Sequence, residues 1–254
     1  MWKYILLTLL AVSVCLMSPA GADGIIIIDP PPGTNVRLDQ SLAIKYHHVD
    51  VQIKDQVATT RVDQVFINDH PWTAEGTYIF PLPEGAAVSG YALDIKGVMV
   101  DGVVVEKQKG REVYEKIVRQ GIDPGLVEWV KGSNFKTRVF PIPAKGTRTI
   151  RVDYVAELVD KAGSAAYHLP LAFKEKLDEL ALRIEVVKGA AEPKATGGPA
   201  GLQFSKFQDT YLAESKGKDV ALDSDLVVAL PRGISRHIVR FVRINGIVYA
   251  VKEV

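Results

Sequence analysis

Cysteine is all but missing: Cys15 is the single one in 254 residues, and none occurs after Ala22. No disulfide framework can hold that stretch, so its stability must come from a packed core. A surplus of either charge is missing too. Lys plus Arg number 31 against 30 Asp plus Glu, a formal net charge of +1, which offers no global field to nucleic acid or an anionic membrane. Neither is expected as a partner, and Lys131, Lys136 and Arg138 make at most a local basic cluster. Apolar runs long enough to cross a bilayer are also lacking. Residues 5–17 reach only about 20 Å as a helix, short of the roughly 30 Å hydrocarbon core. The sequence has no Asn-x-Ser/Thr acceptor, no glycine-rich phosphate loop, and no His-x-x-x-His or His-Glu-x-x-His pair.

The apolar run follows Lys3 and ends in Ser18-Pro19-Ala20-Gly21-Ala22, with Ala20 and Ala22 at the two positions a signal peptidase inspects. This pattern predicts a secretory leader over residues 1–22, cut after Ala22. The chain is then exported, to a periplasm, a cell envelope or the outside. A lipid-attachment cysteine would want a small residue before it, and Val14 stands before Cys15.

Residues 23–40 read as an extended leader, because Pro30-Pro31-Pro32 forbids helix and cannot donate within a sheet. Residues 42–68 carry period-two alternation that changes parity at His47-His48, predicting two antiparallel strands with a bulge there. Tyr78, Phe80 and Leu82 alternate into Phe80-Pro81-Leu82-Pro83, which predicts a strand that stops at an edge or corner. Asp101-Gly102 and Asn245-Gly246, each between apolar runs, are two-residue hairpin signals. Val113, Tyr114, Ile117 and Val118 share one helical face, predicting an amphipathic helix over 107–120 that packs on the home sheet. Further strands are expected around 135–141, 147–155, 166–171, 180–187, 203, 211 and 226. The fold class is therefore mainly β: two antiparallel sandwich-like units with one helix.

Several stretches in order resemble a known family. Residues 57–66 (Val57-Ala58-Thr59-Thr60-Arg61-Val62-Asp63-Gln64-Val65-Phe66) and 76–86, with Tyr78, Phe80, Pro81, Leu82 and Pro83, are similar to the VIT domain of vault proteins and inter-alpha-trypsin inhibitor heavy chains. The likeness continues through Glu106, Tyr114, Ile117, Asp123-Pro124, residues 135–143 beginning at Phe135, and Tyr154. The resemblance spans residues 41–158 and implies a β-sandwich-like module that is not catalytic and binds no cofactor or metal itself. It also implies that these signature residues are structural. In such proteins a von Willebrand type A domain usually follows, and no Asp-x-Ser-x-Ser motif of that domain occurs here. Residues 159–254 resemble the β region that links the two. Their apolar end, Ile247-Val248-Tyr249-Ala250-Val251, suggests a reading frame truncated before the type A domain.

The chemistry-bearing residues make a thin case for an enzyme. His47 and His48 are adjacent, so a regular strand aims them apart; His70, His168 and His237 are scattered. Gly233-Ile234-Ser235-Arg236-His237 has His where a nucleophile elbow needs its second Gly. Asp223-Ser224-Asp225 places two carboxylates on one strand face. A secreted hydrolase or carbohydrate-active protein using Asp223, Asp225 or His237 is the alternative to the leading expectation, an exported non-catalytic protein-interaction module whose partner is another protein.

Overall fold

The computed structural model describes residues 24–29, 41–102, 127–130, 134–158, 160–161, 164–173, 175–231, 238–244 and 247–253. Among them there are eighteen strands, numbered in chain order, and no helix. The helix expected over 107–120, with Tyr114, and the Asp123-Pro124 stretch lie outside the described residues, as does His237.

One eight-stranded sheet organises the molecule. Its order is β14 (Ser205–Phe207), β15 (Thr210–Val220), β12 (Leu177–Val187), β2 (Ala43–Lys54), β3 (Val57–Asn68), β9 (Gly146–Glu157), β5 (Ala87–Ile95) and β6 (Val98–Asp101). The central strands alternate strictly, so each sends one row of side chains to each face. Val49, Val51 and Ile53 of β2, Val62 and Phe66 of β3, Ile150 and Val152 of β9, and Leu182 and Ile184 of β12 are all buried on the inner face. At roughly 1.5–3 kcal/mol per fully buried aliphatic or Phe side chain, this face supplies what disulfides do not.

Two four-stranded sheets cover that inner face. The first has the order β1 (Ile25–Ile28), β4 (Ala74–Pro81), β8 (Asn134–Ile142), β7 (Val127–Val130). It packs its aromatics onto β3, β5 and β9: Tyr78 meets Phe66 edge-on at 5.8 Å between centroids, Phe80 lies 6.1 Å from Tyr154, and Phe135 lies 5.4 Å from Tyr91. The second has the order β10 (Asp160–Lys161), β11 (Ser164–Leu169), β16 (Leu226–Leu230), β13 (Lys194–Thr196), and Tyr167 of β11 reaches Thr60 of β3. A separate hairpin pairs β17 (Ile238–Ile244) with β18 (Ile247–Glu253), with Ile244 opposite Ile247. The Asn245-Gly246 signal thus joins two paired strands as expected.

Several sequence expectations shift in detail. Residues 25–28 of the expected leader form a strand whose Ile26 and Ile28 sit in the core. The irregularity in β2 falls between Ile44 and Tyr46 rather than at the histidines; it lets Ile44 and His47 both serve the inner row. The turn after β5 is at Lys96-Gly97, where φ is 55° and 82° and the Asp94 carboxylate accepts the Gly97 N–H at 2.6 Å. Asp101 and Gly102 instead extend the ladder, Asp101 opposite Ala92 and Gly102 N–H donating to Tyr91 O. β4 is an inner strand, not an edge, and its Pro81 lies beyond Ile79, where the pairing with β1 stops, so the missing N–H costs no bond on that side.

All pairings among the described residues are antiparallel except one. β12 runs parallel to β2, from Glu179 opposite Tyr46 to Val187 opposite Lys54. This ladder fuses the strands before residue 158 and those after it into one sheet.

Candidate functional site

The outer face of the eight-stranded sheet carries ordered charge. Its geometry begins with a repeated tripeptide: Arg61-Val62-Asp63 in β3 and Arg151-Val152-Asp153 in β9. The strands are antiparallel and Val62 is opposite Val152, so each Arg faces the other strand's Asp. Both valines point inward and are fully buried. Outside, Arg61 donates through Nε and Nη2 to Asp153 at 2.7 and 3.1 Å, and Arg151 donates likewise to Asp63 at 2.6 and 2.8 Å. Two-pronged pairing fixes both guanidinium planes.

The row continues across the sheet. Asp50 is opposite Arg61, Arg183 is beside Asp50 on the parallel strand, and Glu214 is opposite Arg183. Arg183 donates to Glu185 at 2.8 Å and to Asp50 at 3.4 Å. Signs therefore alternate over five strands, from Glu214 to Asp153. Hydrogen bonding to Asp153, Asp63 and Glu185 raises the pKa of Arg61, Arg151 and Arg183 respectively. In the neighbouring row His48 meets Glu179 at 3.2 Å. The small Ala181 beside it leaves a shallow depression of about 220 Å³ bordered by His48, Asp50, Arg183, Glu214 and Lys216.

The inner face holds a different kind of polarity. Tyr78 O–H donates to Gln64 Oε1 at 2.6 Å, and Gln64 Nε2 is 3.1 Å from His47 Nδ1. With the amide oxygen occupied by the phenol, the amide N–H donates to Nδ1 and the imidazole is neutral, protonated at Nε2. Burial, assisted by His48, pushes the His47 pKa down to about 3. Phe173 packs edge-on against the ring at 4.8 Å. Thr60 Oγ1 and Tyr167 OH lie 2.7 Å apart, with Tyr154 OH at 3.4 Å from Tyr167 OH. Burial raises the pKa of Tyr78, Tyr154 and Tyr167, so all three stay phenols.

The residues singled out in the sequence fall into three groups. Tyr78, Phe80, Leu82, Phe135 and Tyr154 are buried, with Pro81 and Pro83 half-buried beside them. Asp225 turns its Oδ1 toward the backbone N–H groups of Leu171 and Ala172, at 3.0 and 3.2 Å, so it closes a loop. Asp223 is exposed. No group of three metal-capable side chains occurs among the described residues. Lys136 and Arg138 do not form a free basic cluster, because Arg138 pairs with Asp29 and Glu75. The charged outer face went unread, although the repeated Arg-Val-Asp was a visible signal for it.

The strands from β2 to Tyr154 of β9 coincide with a known domain. Residues 44–154 match the family model described as the vault protein inter-alpha-trypsin domain. Over those residues the chain is similar to the VIT domain. A mouse protein mono-ADP-ribosyltransferase PARP4 is 30% identical over 123 residues, covering 48% of this chain and 6% of that protein. Mouse inter-alpha-trypsin inhibitor heavy chain H2 is 25% identical over 179 residues, covering 68% of this chain and 17% of that protein. Heavy chain H3 from Pongo abelii is 29% identical over 134 residues, 51% of this chain and 14% of that protein. The chain thus spans less than a fifth of the length of each of these curated relatives. The heavy-chain likeness runs past the VIT domain into the following strands, and it supports a non-catalytic module. A candidate nutrient-binding protein from Legionella pneumophila shares the fold alone, with a TM-score of 0.50 at 14% identity over 74% of this chain and 66% of that one.

Proposed function

We propose that this protein is an exported, non-catalytic module that works by contact with another protein, with the VIT domain at residues 41–158 and a second β region at 159–254 sharing its sheet. The contact surface in this reading is the outer face of that sheet. The observation that carries it is the pair of reciprocal Arg–Asp forks. Each arginine is ordered before a partner arrives, so less side-chain entropy is lost when one docks. Arginine is also the charged residue that interfaces favour. The buried signature residues from Tyr78 to Tyr154 hold the sandwich that presents this face.

A photocrosslinking residue placed at Thr59, on the outer face, tests the reading in the native host. A discrete adduct is expected, weakened at least about tenfold by Arg61→Ala with Arg151→Ala, while the melting temperature moves little. An adduct indifferent to both substitutions, or none at all, overturns it.

A further inference from the structure

We propose that the partner of the charged outer face is a second copy of this chain, turned over about a two-fold axis that crosses the strands between two rows of charge. The inference rests on the contact reading above and names the partner. On that face opposite charges stand two residues apart along a strand: Glu214 and Lys216 on β15, Arg61 and Asp63 on β3, Arg151 and Asp153 on β9. His48 and Asp50 repeat the spacing on β2. Strand pairing sorts these residues into two rows across the sheet. One reads Glu214, Arg183, Asp50, Arg61, Asp153, and the other Lys216, Ala181, His48, Asp63, Arg151.

An axis between the rows sets each row of one copy on the other row of the second. Glu214 then faces Lys216 of the copy, Arg61 faces Asp63, Asp153 faces Arg151, and Asp50 faces His48, each contact occurring twice. An axis along either row would instead set like charge on like. Shape agrees with charge at the remaining strand. Arg183 faces Ala181 of the copy, so the long side chain of one row meets the depression of about 220 Å³ above the small residue of the other. The one like-charged juxtaposition, Glu185 with Glu179, brings together carboxylates already held in their own chain, by Arg183 at 2.8 Å and by His48 at 3.2 Å.

Desolvation is the cost of such a contact, and the forks reduce it. Arg61 and Arg151 keep Asp153 and Asp63 of their own chain, so they are ordered and paired before water leaves. Strands about 4.8 Å apart, taken from β15 to β9 over the stretch from Glu179 to Glu185, offer roughly 500 Å² per copy, and twice that is the lower bound for a specific interface. The twist of the sheet concentrates the contact on β12, β2 and β3. A reversible, micromolar dimer is the expected product.

Sedimentation velocity of the purified protein tests this. Wild type should pass from monomer to dimer between about 1 and 100 μM. Arg61→Glu sets a carboxylate over Asp63 of the copy, and Asp63→Lys sets an ammonium over Arg61, so each alone should weaken self-association at least about tenfold. Mixed in equal amounts, the two variants should associate as wild type does, because the new carboxylate of one then faces the new ammonium of the other. Chains that had merely misfolded would not recover on mixing. Ala181→Leu fills the depression without changing charge and should also weaken the dimer at least about tenfold. A wild type still monomeric at the top of that range, a dimer indifferent to all three substitutions, or variants that associate no better together than apart overturn the proposal. If Thr59 nonetheless crosslinks to a different protein in the host, the contact reading stands; if it crosslinks to nothing, both fall.

Discussion

The two faces of the eight-stranded sheet are built from the same strands and answer to different rules. His47 and His48 show it within one dipeptide. The first is buried, neutral and held by Gln64, with its pKa pushed down to about 3; the second is exposed and meets Glu179. The same contrast separates Val62 and Val152 from the arginines and aspartates that flank them. Inside, free energy comes from removing surface from water and from pairing most of the buried polar groups, as Gln64 does with Tyr78 and with His47 Nδ1. Outside, the same backbone displays charges whose pairing is screened by solvent and worth little to stability. One face holds the fold, and the other is the surface proposed for recognition.

The largest effect should follow a hole in the inner face. Tyr154→Ala removes a fully buried ring that packs on Phe80, and should cost about 3–5 kcal/mol in denaturant unfolding. A loss under about 1 kcal/mol would contradict the packing described.

The next effect is in pH. Because the folded state depresses the His47 pKa from 6.5 to about 3, the unfolded chain takes up the proton first as pH falls. The contribution is complete above about pH 6.5 and is lost progressively down to about pH 3, on the order of 4 kcal/mol if realised in full. Comparing unfolding free energy against pH for wild type and His47→Gln isolates this share. Parallel profiles would show that His47 is not shielded.

A smaller effect is expected where the two halves of the chain meet. Tyr167→Phe removes the hydroxyl that lies 2.7 Å from Thr60 Oγ1 and should cost about 1–3 kcal/mol, whereas Thr60→Val with Tyr167→Phe should cost less than the sum of the two single changes. A double-mutant cycle of unfolding measures that coupling.

The smallest effect belongs to the outer face. Asp63→Asn should shift stability by about 0.2–1 kcal/mol, and less in high salt. A salt-insensitive loss above 2 kcal/mol would mean that the outer face is structural after all, and would blur the distinction between the faces.

Much of this was legible as alternation. The inner rows of β2, β3, β9 and β12 could be listed from period two alone, because a half-buried strand must sort its side chains by face. Alternation names a face and not a neighbour, however. Nothing local in residues 177–187 says that they lie beside 46–54 rather than at the edge of a second unit, so the parallel ladder was invisible. The turn at Lys96-Gly97 carries no strong local signal of its own and is set by the register of β6 against Ala92, while the second strand expected after Asp101-Gly102, at 103–105, lies outside the described residues. Charge on the outer row was visible residue by residue. Its pairing needed the antiparallel alignment that sets Val62 against Val152.

The parallel ladder also sets a schedule for folding. Tyr46 and Glu179 are 133 positions apart in the chain, and contacts that distant are made late and slowly. The strands from β2 to β9 can pair among themselves while the flank of β2 that will receive β12 still waits, bare, for residue 187 to be synthesised. A long strand with one apolar face and an open hydrogen-bonding edge is a template for other chains. Aggregation of truncated products ending before β12 is the expected consequence of that exposed edge.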